Sequence, residues 1–148
     1  MNVAVFVVHE LAHARAALAA AAESGRGVVL LSPPDGVVYL GLRWMPTLAA
    51  AVRSEFPTAV ASTALDCGDR LALALEALRH GAGIVLFTGP GEEADRLLAA
   101  TRAAGAELWR SRPPALDLST VAAEKALIAC RDWIEHHGGN VEIVGHLG

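Results

Sequence analysis

Apolar positions in this chain come in short β-branched runs, each followed by a turn and then by an alanine- and leucine-rich stretch of helical character. The beat repeats about five times, which predicts alternating strands and helices. Val3 to Val8 (VAVFVV) is the first strand, and His9 to Glu23 turns helical before Gly25 and Gly27. Val28 to Leu31 (VVLL) is the second, followed by a helix from about Trp44 to Phe56 with Pro46 in its first turn, where a missing N–H has no partner to lose. Thr58 to Thr63 is a weaker third strand, with a helix from Arg70 to His80 closed by Gly81.

The fourth unit is the clearest. Ile84 to Phe87 (IVLF) breaks at Thr88-Gly89-Pro90-Gly91, and Glu92 to Ala104 carries apolar residues at 94, 97, 98 and 101. Glu107 to Trp109 is a short fifth strand, and Ser119 is placed to cap a last helix running to His137. Val141 to Val144 has the composition of a sixth strand. Between Ser32 and Leu40, Pro33-Pro34-Asp35-Gly36 reads as a structured loop, or as the turn of a hairpin pairing VVLL with Val37 to Leu40.

Strands that are apolar throughout are expected where both faces of a parallel sheet are covered. The fold class is therefore α/β, a three-layer doubly wound, mostly parallel sheet of about five βα units, with a half-barrel-like βα array as the alternative. The beat resembles flavodoxin-like and small barrel-type folds in general, without a family motif. The response-regulator pattern needs an acidic pair after the first strand and a lysine on a late one; His9-Glu10 stands in the first place and the only lysine is Lys125. That lysine, at the last helix, also disfavours Schiff-base chemistry.

The 148 residues show no Ser/Gly/Pro-rich linker or charge block, so residues 1–148 are expected to form a single domain. Hydrophobic residues make up 53%, much of it alanine, yet no apolar run approaches the ~18 residues a membrane span needs, and no signal peptide is expected. A net charge of −4 without a basic stripe disfavours nucleic acid. Cys67 and Cys130 fit a reduced, cytoplasmic setting better than a disulfide framework. Trp44 and Met45 at one helix start, and Trp133 and Ile134 near one helix end, predict an apolar contact surface and a homo-oligomer, most simply a dimer.

His9-Glu10-Leu11-Ala12-His13 matches the zinc-protease pattern, which needs two histidines one turn apart within a helix and a third ligand. Here strand-forming residues lead directly into His9, and His80, His136, His137 and His146 fall at helix ends or in the tail, so no metal site is expected. No cofactor motif is present either. Candidate chemistry gathers instead where ligands of open α/β sheets bind, beyond the carboxyl ends of the strands. His9 and Glu10 follow the first strand; Ser32 and Asp35 the second; Asp66, Cys67 and Asp69 the third; Thr88, Gly89 and Gly91 the fourth; Arg110 and Arg112 the fifth.

Gly89 and Gly91 at a helix start offer backbone N–H groups to a phosphate, although Glu92 and Glu93 already meet that helix dipole. Cys67 ahead of a helix has a nucleophile's position but acidic neighbours. The expected function is the binding of a small ligand, anions included, or of a protein partner, without catalysis. The alternative is a small lyase, isomerase or hydrolase working through carboxylates such as Asp35 and Asp66.

Overall fold

Both faces of the first strand are buried, which is why its sequence does not alternate. In the computed structural model, which describes residues 3–139, β1 (Ala4–Val7) directs Ala4 and Phe6 into one core cluster and Val5 and Val7 into another. β2 (Val28–Leu31), β3 (Ala61–Asp66) and β4 (Ile84–Leu86) divide in the same way. Val28, Leu30, Leu65 and Val85 join the first cluster; Val29, Leu31, Ala64, Ile84 and Leu86 join the second. β5 (Glu107–Trp109) and β6 (Leu116–Asp117) complete the sheet.

The six strands are all parallel, in the order β5-β4-β3-β2-β1-β6. Flanking them are α1 (Leu11–Ser24), α2 (Gly36–Leu40), α3 (Trp44–Arg53), α4 (Leu71–Arg79), α5 (Gly91–Ala103) and α6 (Ala126–His137). The α/β class and the parallel sheet of βα units are those the apolar beat predicts. Because β1 to β5 follow one another in space, crossovers of one hand bring their helices to a common side. Leu18, Leu48, Ala74, Leu97 and Ile134, from five helices, all belong to the first cluster. The winding reverses at β1, where β6 takes the opposite side, as a doubly wound sheet requires; the shared helical side is the feature of the half-barrel alternative.

The second cluster draws on strand residues, with Ala115 of the connection 110–115 packed against it. Val3 and Val5 line a common cavity with Glu107, Leu108 and Trp109, although β2, β3 and β4 lie between β1 and β5. The sheet is therefore curled, and the connection from β5 to β6 crosses its concave side.

Several element boundaries differ from the sequence pattern. The third strand is Ala61–Asp66 rather than 58–63, because residues up to Ala59 close the turn after α3, where the Ala59 N–H donates to Phe56 O at 3.1 Å. Residues 37–40 are helical, not strand: Asp35 adopts a left-handed φ of 54°, and the prolines before it have no N–H to give a ladder. Ser119 does not cap one long helix. The Asp117 carboxylate accepts from Ser119 N at 2.9 Å, closing a short 3₁₀ turn over Leu118–Thr120, and α6 begins only at Ala126. The sixth strand of the described residues is Leu116–Asp117, which pairs with Phe6 and Val7; Val141 to Val144 and His146 lie outside the described residues.

Met45 and Ile134, expected on a contact surface, are 1% and 2% exposed. They are core residues because the apolar stripe of each helix turns toward the first cluster. Among the described residues the exposed large apolar groups are Tyr39, Val38, Val60 and Ile128. No helix among the described residues is long and apolar enough to cross a membrane.

Leu31 is fully buried on the concave side. Leu31→Ala should cost about 2–5 kcal/mol, read as a lower urea midpoint at unchanged slope; a loss below about 1 kcal/mol would contradict a packed second cluster.

Candidate functional site

Parallel register sets Leu31 beside Ala64, so the residues that follow β2 meet the end of β3. Ser32 is fully buried and its hydroxyl accepts the Asp66 N–H at 2.8 Å. The Asp66 side chain is 7% exposed. Its Oδ1 accepts the Gly68 N–H at 2.9 Å and its Oδ2 accepts from Arg112 Nη1 at 2.6 Å. Arg112 reaches this point from the connection after β5 and also donates from both terminal nitrogens to Ser32 O at 3.3 Å. A carboxylate so removed from water needs a cation and hydrogen bonds to offset its burial, and Asp66 has both.

A second ion pair stands beside the first. Asp35 Oδ1 accepts from Arg70 Nη1 at 3.0 Å, both side chains being nearly half exposed. Gly68 lies between the two pairs with φ +56°, and a Cβ there would collide with the Asp35 carboxylate and approach the Arg70 guanidinium. Only glycine meets both demands. The Gly68 carbonyl accepts the Thr88 N–H at 2.8 Å, which ties in the loop after β4. Arg110 donates to Gly89 O at 2.6 Å, with its guanidinium carbon 5.7 Å from the centre of the Phe87 ring. Loops after β2, β3, β4 and β5 thus meet around Gly68, with Arg70, Arg110 and Arg112 anchored there.

The loop after β1 carries a different pair. His9 Nε2 lies 2.9 Å from Asp117 Oδ1, across the β1–β6 edge. The His9 backbone N–H donates to His13 Nδ1 at 3.0 Å, and the two rings meet edge to face. Burial holds the His13 pKa below the ordinary imidazole value, against the raising effect of Glu10. For Asp117, burial raises the pKa, but the hydrogen bonds from the Ser119 hydroxyl and N–H and from His9 outweigh it and leave a net lowering.

His9 and Glu10 precede α1, Glu10 being its N-cap, so the two histidines of the zinc-protease pattern do not share a helix. Among the described residues no three His, Cys, Asp or Glu side chains come together as a metal site. Cys67 stands apart from the polar edge. Its side chain is in the first core cluster, and burial, with Asp66 next to it, pushes its pKa up to about 12, the reverse of what a nucleophilic thiol requires. Asp69 and Thr88 are exposed at the edge, and Gly91 opens α5.

Ser32, Asp66 and, through Gly68, Thr88 are therefore bonded together, with Asp35–Arg70 and Gly89–Arg110 as neighbouring pairs, while His9 bonds Asp117 elsewhere and Cys67 lies in the core. Asp117 and Arg70 join these contacts without a signal in the apolar pattern. Asp117 sits in a two-residue strand with no apolar run to mark it, although Asp117-Leu118-Ser119 carries the spacing of a side-chain turn. Trp109 is also new: it is 7% exposed and its indole Nε1 finds no acceptor. The fold and site define an all-parallel α/β domain with a polar, arginine-bearing carboxyl edge. The chain matches no protein-family model and no curated protein by sequence.

Arg112→Met should cost about 2–3 kcal/mol in urea unfolding, below the range for breaking a fully buried pair because Arg112 is 28% exposed. Asp66→Asn combined with it should lose about 1–2 kcal/mol less than the sum of the single losses. Additive losses would show that the pair contributes no coupling.

Proposed function

We propose that this chain is a small-ligand-binding α/β domain that recognises an anion at the carboxyl edge of β2 to β5, without catalysis. The observation that carries this reading is the convergence of Arg70, Arg110 and Arg112 on the loops that meet at Gly68. Arg112 has its charge answered by the nearly buried Asp66 and is the structural anchor. Arg70 is 43% exposed, and Arg110 is exposed and spends one bond on a neutral carbonyl. A guanidinium carries five N–H donors in a planar fork suited to carboxylate and phosphate, so both retain donors for a ligand. The carboxylates best placed for acid–base work, Asp35 and Asp66, are already bonded to arginine, which favours binding over the lyase, isomerase or hydrolase reading.

A reducing cytoplasmic setting suits two buried free thiols. A homodimer remains part of the reading, with its surface placed where apolar side chains are exposed rather than at Met45 and Ile134. Tyr39, 79% exposed, and Val38, 48% exposed, lie on α2, next to an apolar groove formed by Leu11, Leu40, Trp44 and Leu48.

Titration with inorganic phosphate should raise the melting temperature and move the backbone amide resonances of Gly68 and Arg70. Arg70→Gln with Arg110→Gln should weaken that binding about tenfold or more, as expected for lost charge-assisted bonds. Unmoved edge amides would defeat the reading. Light scattering at micromolar concentration should give about twice the 15.4 kDa chain mass and a lower mass for Tyr39→Asp; a monomer at every concentration removes the dimer.

A further inference from the structure

Beneath the connection that Arg112 holds in place lies a cavity of about 320 Å³, with Val3, Val5, Glu107, Trp109, Arg110 and Pro113 on its walls. Its volume falls at the small end of ligand sites, which span roughly 300–1,000 Å³. Val3, Val5 and Pro113 offer it apolar surface. Trp109 is more than nine-tenths buried, and its Nε1 is enclosed without an acceptor. A buried indole N–H ordinarily has a partner; this one has none, on a residue that lines the cavity but whose N–H is closed off from it. The other orphaned indole among the described residues, Trp133, is stacked on His137 and is not on these walls.

The charged groups of the cavity are set apart along β5. Glu107 begins the strand and Arg110 follows its end, about 10 Å apart at the rise of an extended chain. Arg110 commits one nitrogen to Gly89 O and keeps further donors. An anionic group is thus favoured at the Arg110 and Trp109 end, and a second anion is disfavoured by Glu107 at the other.

We propose that this cavity binds a small monocarboxylate with an apolar body. The carboxylate accepts from Trp109 Nε1 and Arg110, and the body lies along Val3, Val5 and Pro113. Since Nε1 is closed off, the connection 110–115 shifts to let the carboxylate reach it and then settles over the ligand. The inference rests on the anion-binding reading above, with which it shares Arg110, and adds the chemical class of the ligand and its place.

The test uses full-length protein labelled with ¹⁵N and follows both the three tryptophan indole resonances and the edge amides of Gly68 and Arg70. The indole signals are assigned with Trp44→Phe and Trp133→Phe, so no variant at Trp109 is needed. Hexanoate, acetate, hexylamine and inorganic phosphate are the probes. Hexanoate should move the Trp109 indole signal saturably and bind at least about tenfold tighter than acetate, because its methylenes are buried; hexylamine should leave the signal in place. A Trp109 signal that hexanoate does not move, or equal affinity for hexanoate and acetate, overturns the cavity assignment. If phosphate still moves the edge amides in that case, the anion-binding reading stands alone. If no anion moves them, that reading fails, and a hexanoate-specific Trp109 shift would then keep only the carboxylate cavity.

Discussion

The ion pair between Arg112 and Asp66 holds together parts of the fold that the sheet alone does not. Parallel pairing fixes β1 through β5 in series and leaves β6 on the far side of β1. The connection that bridges these edges reaches about 25 Å when fully extended from Trp109 to Leu116, close to the width of a flat six-stranded sheet. It nonetheless detours to deliver Arg112 to Ser32 and Asp66, a path that fits only on a curled sheet. Curling brings β1 and β5 to a common cavity and closes the concave side, which Ala115 helps to cover. The position of Arg112, the enclosure of Val5, Leu31 and Leu86, and the meeting of four loops at Gly68 are therefore consequences of one path across the sheet.

The pair also shows how charge is handled at this edge. Taking Asp66 out of water carries a penalty that attraction alone does not reliably offset, and the geometry has to supply the remaining bonds. Arg112 and the Gly68 N–H meet that need at a carboxylate only 7% exposed. Ser32 completes the arrangement from below, its hydroxyl taking the Asp66 N–H and its carbonyl facing Arg112. The outer pair, Arg70 with Asp35, is nearly half exposed and contributes far less to stability. The same residue types thus serve two purposes at neighbouring positions, and burial separates them.

How much of this was legible beforehand depends on whether the cause was local. The apolar runs of β1, β2 and β4 declare themselves because every residue in them is buried on one side or the other. β6 does not, since Leu116 and Asp117 are a strand only by pairing with Phe6 and Val7, more than a hundred positions earlier. The carboxyl-edge rule located Ser32, Asp35, Asp66 and Arg110 without any contact being known. Cys67 follows Asp66 at the end of β3, so its thiol takes the opposite face from the carboxylate and joins the core. The turn bonds that end at Ala59 set where that strand begins.

The cavity under the connection follows from the same geometry. Side chains pointing into the curl come from β1, β2, β3, β4 and β5, and they fill it with valine, leucine, isoleucine and alanine near its middle. Toward the β5 side the filling depends on the connection, which contributes Ser111, Pro113 and Ala115, none of them large. Trp109 is the bulkiest group there, and its indole N–H has no hydrogen-bond partner. A protein interior otherwise packs closely and pairs its polar groups. Void and orphaned donor lie together where the covering segment is held by an arginine reaching elsewhere, so the tie that closes the sheet also leaves this corner under-filled.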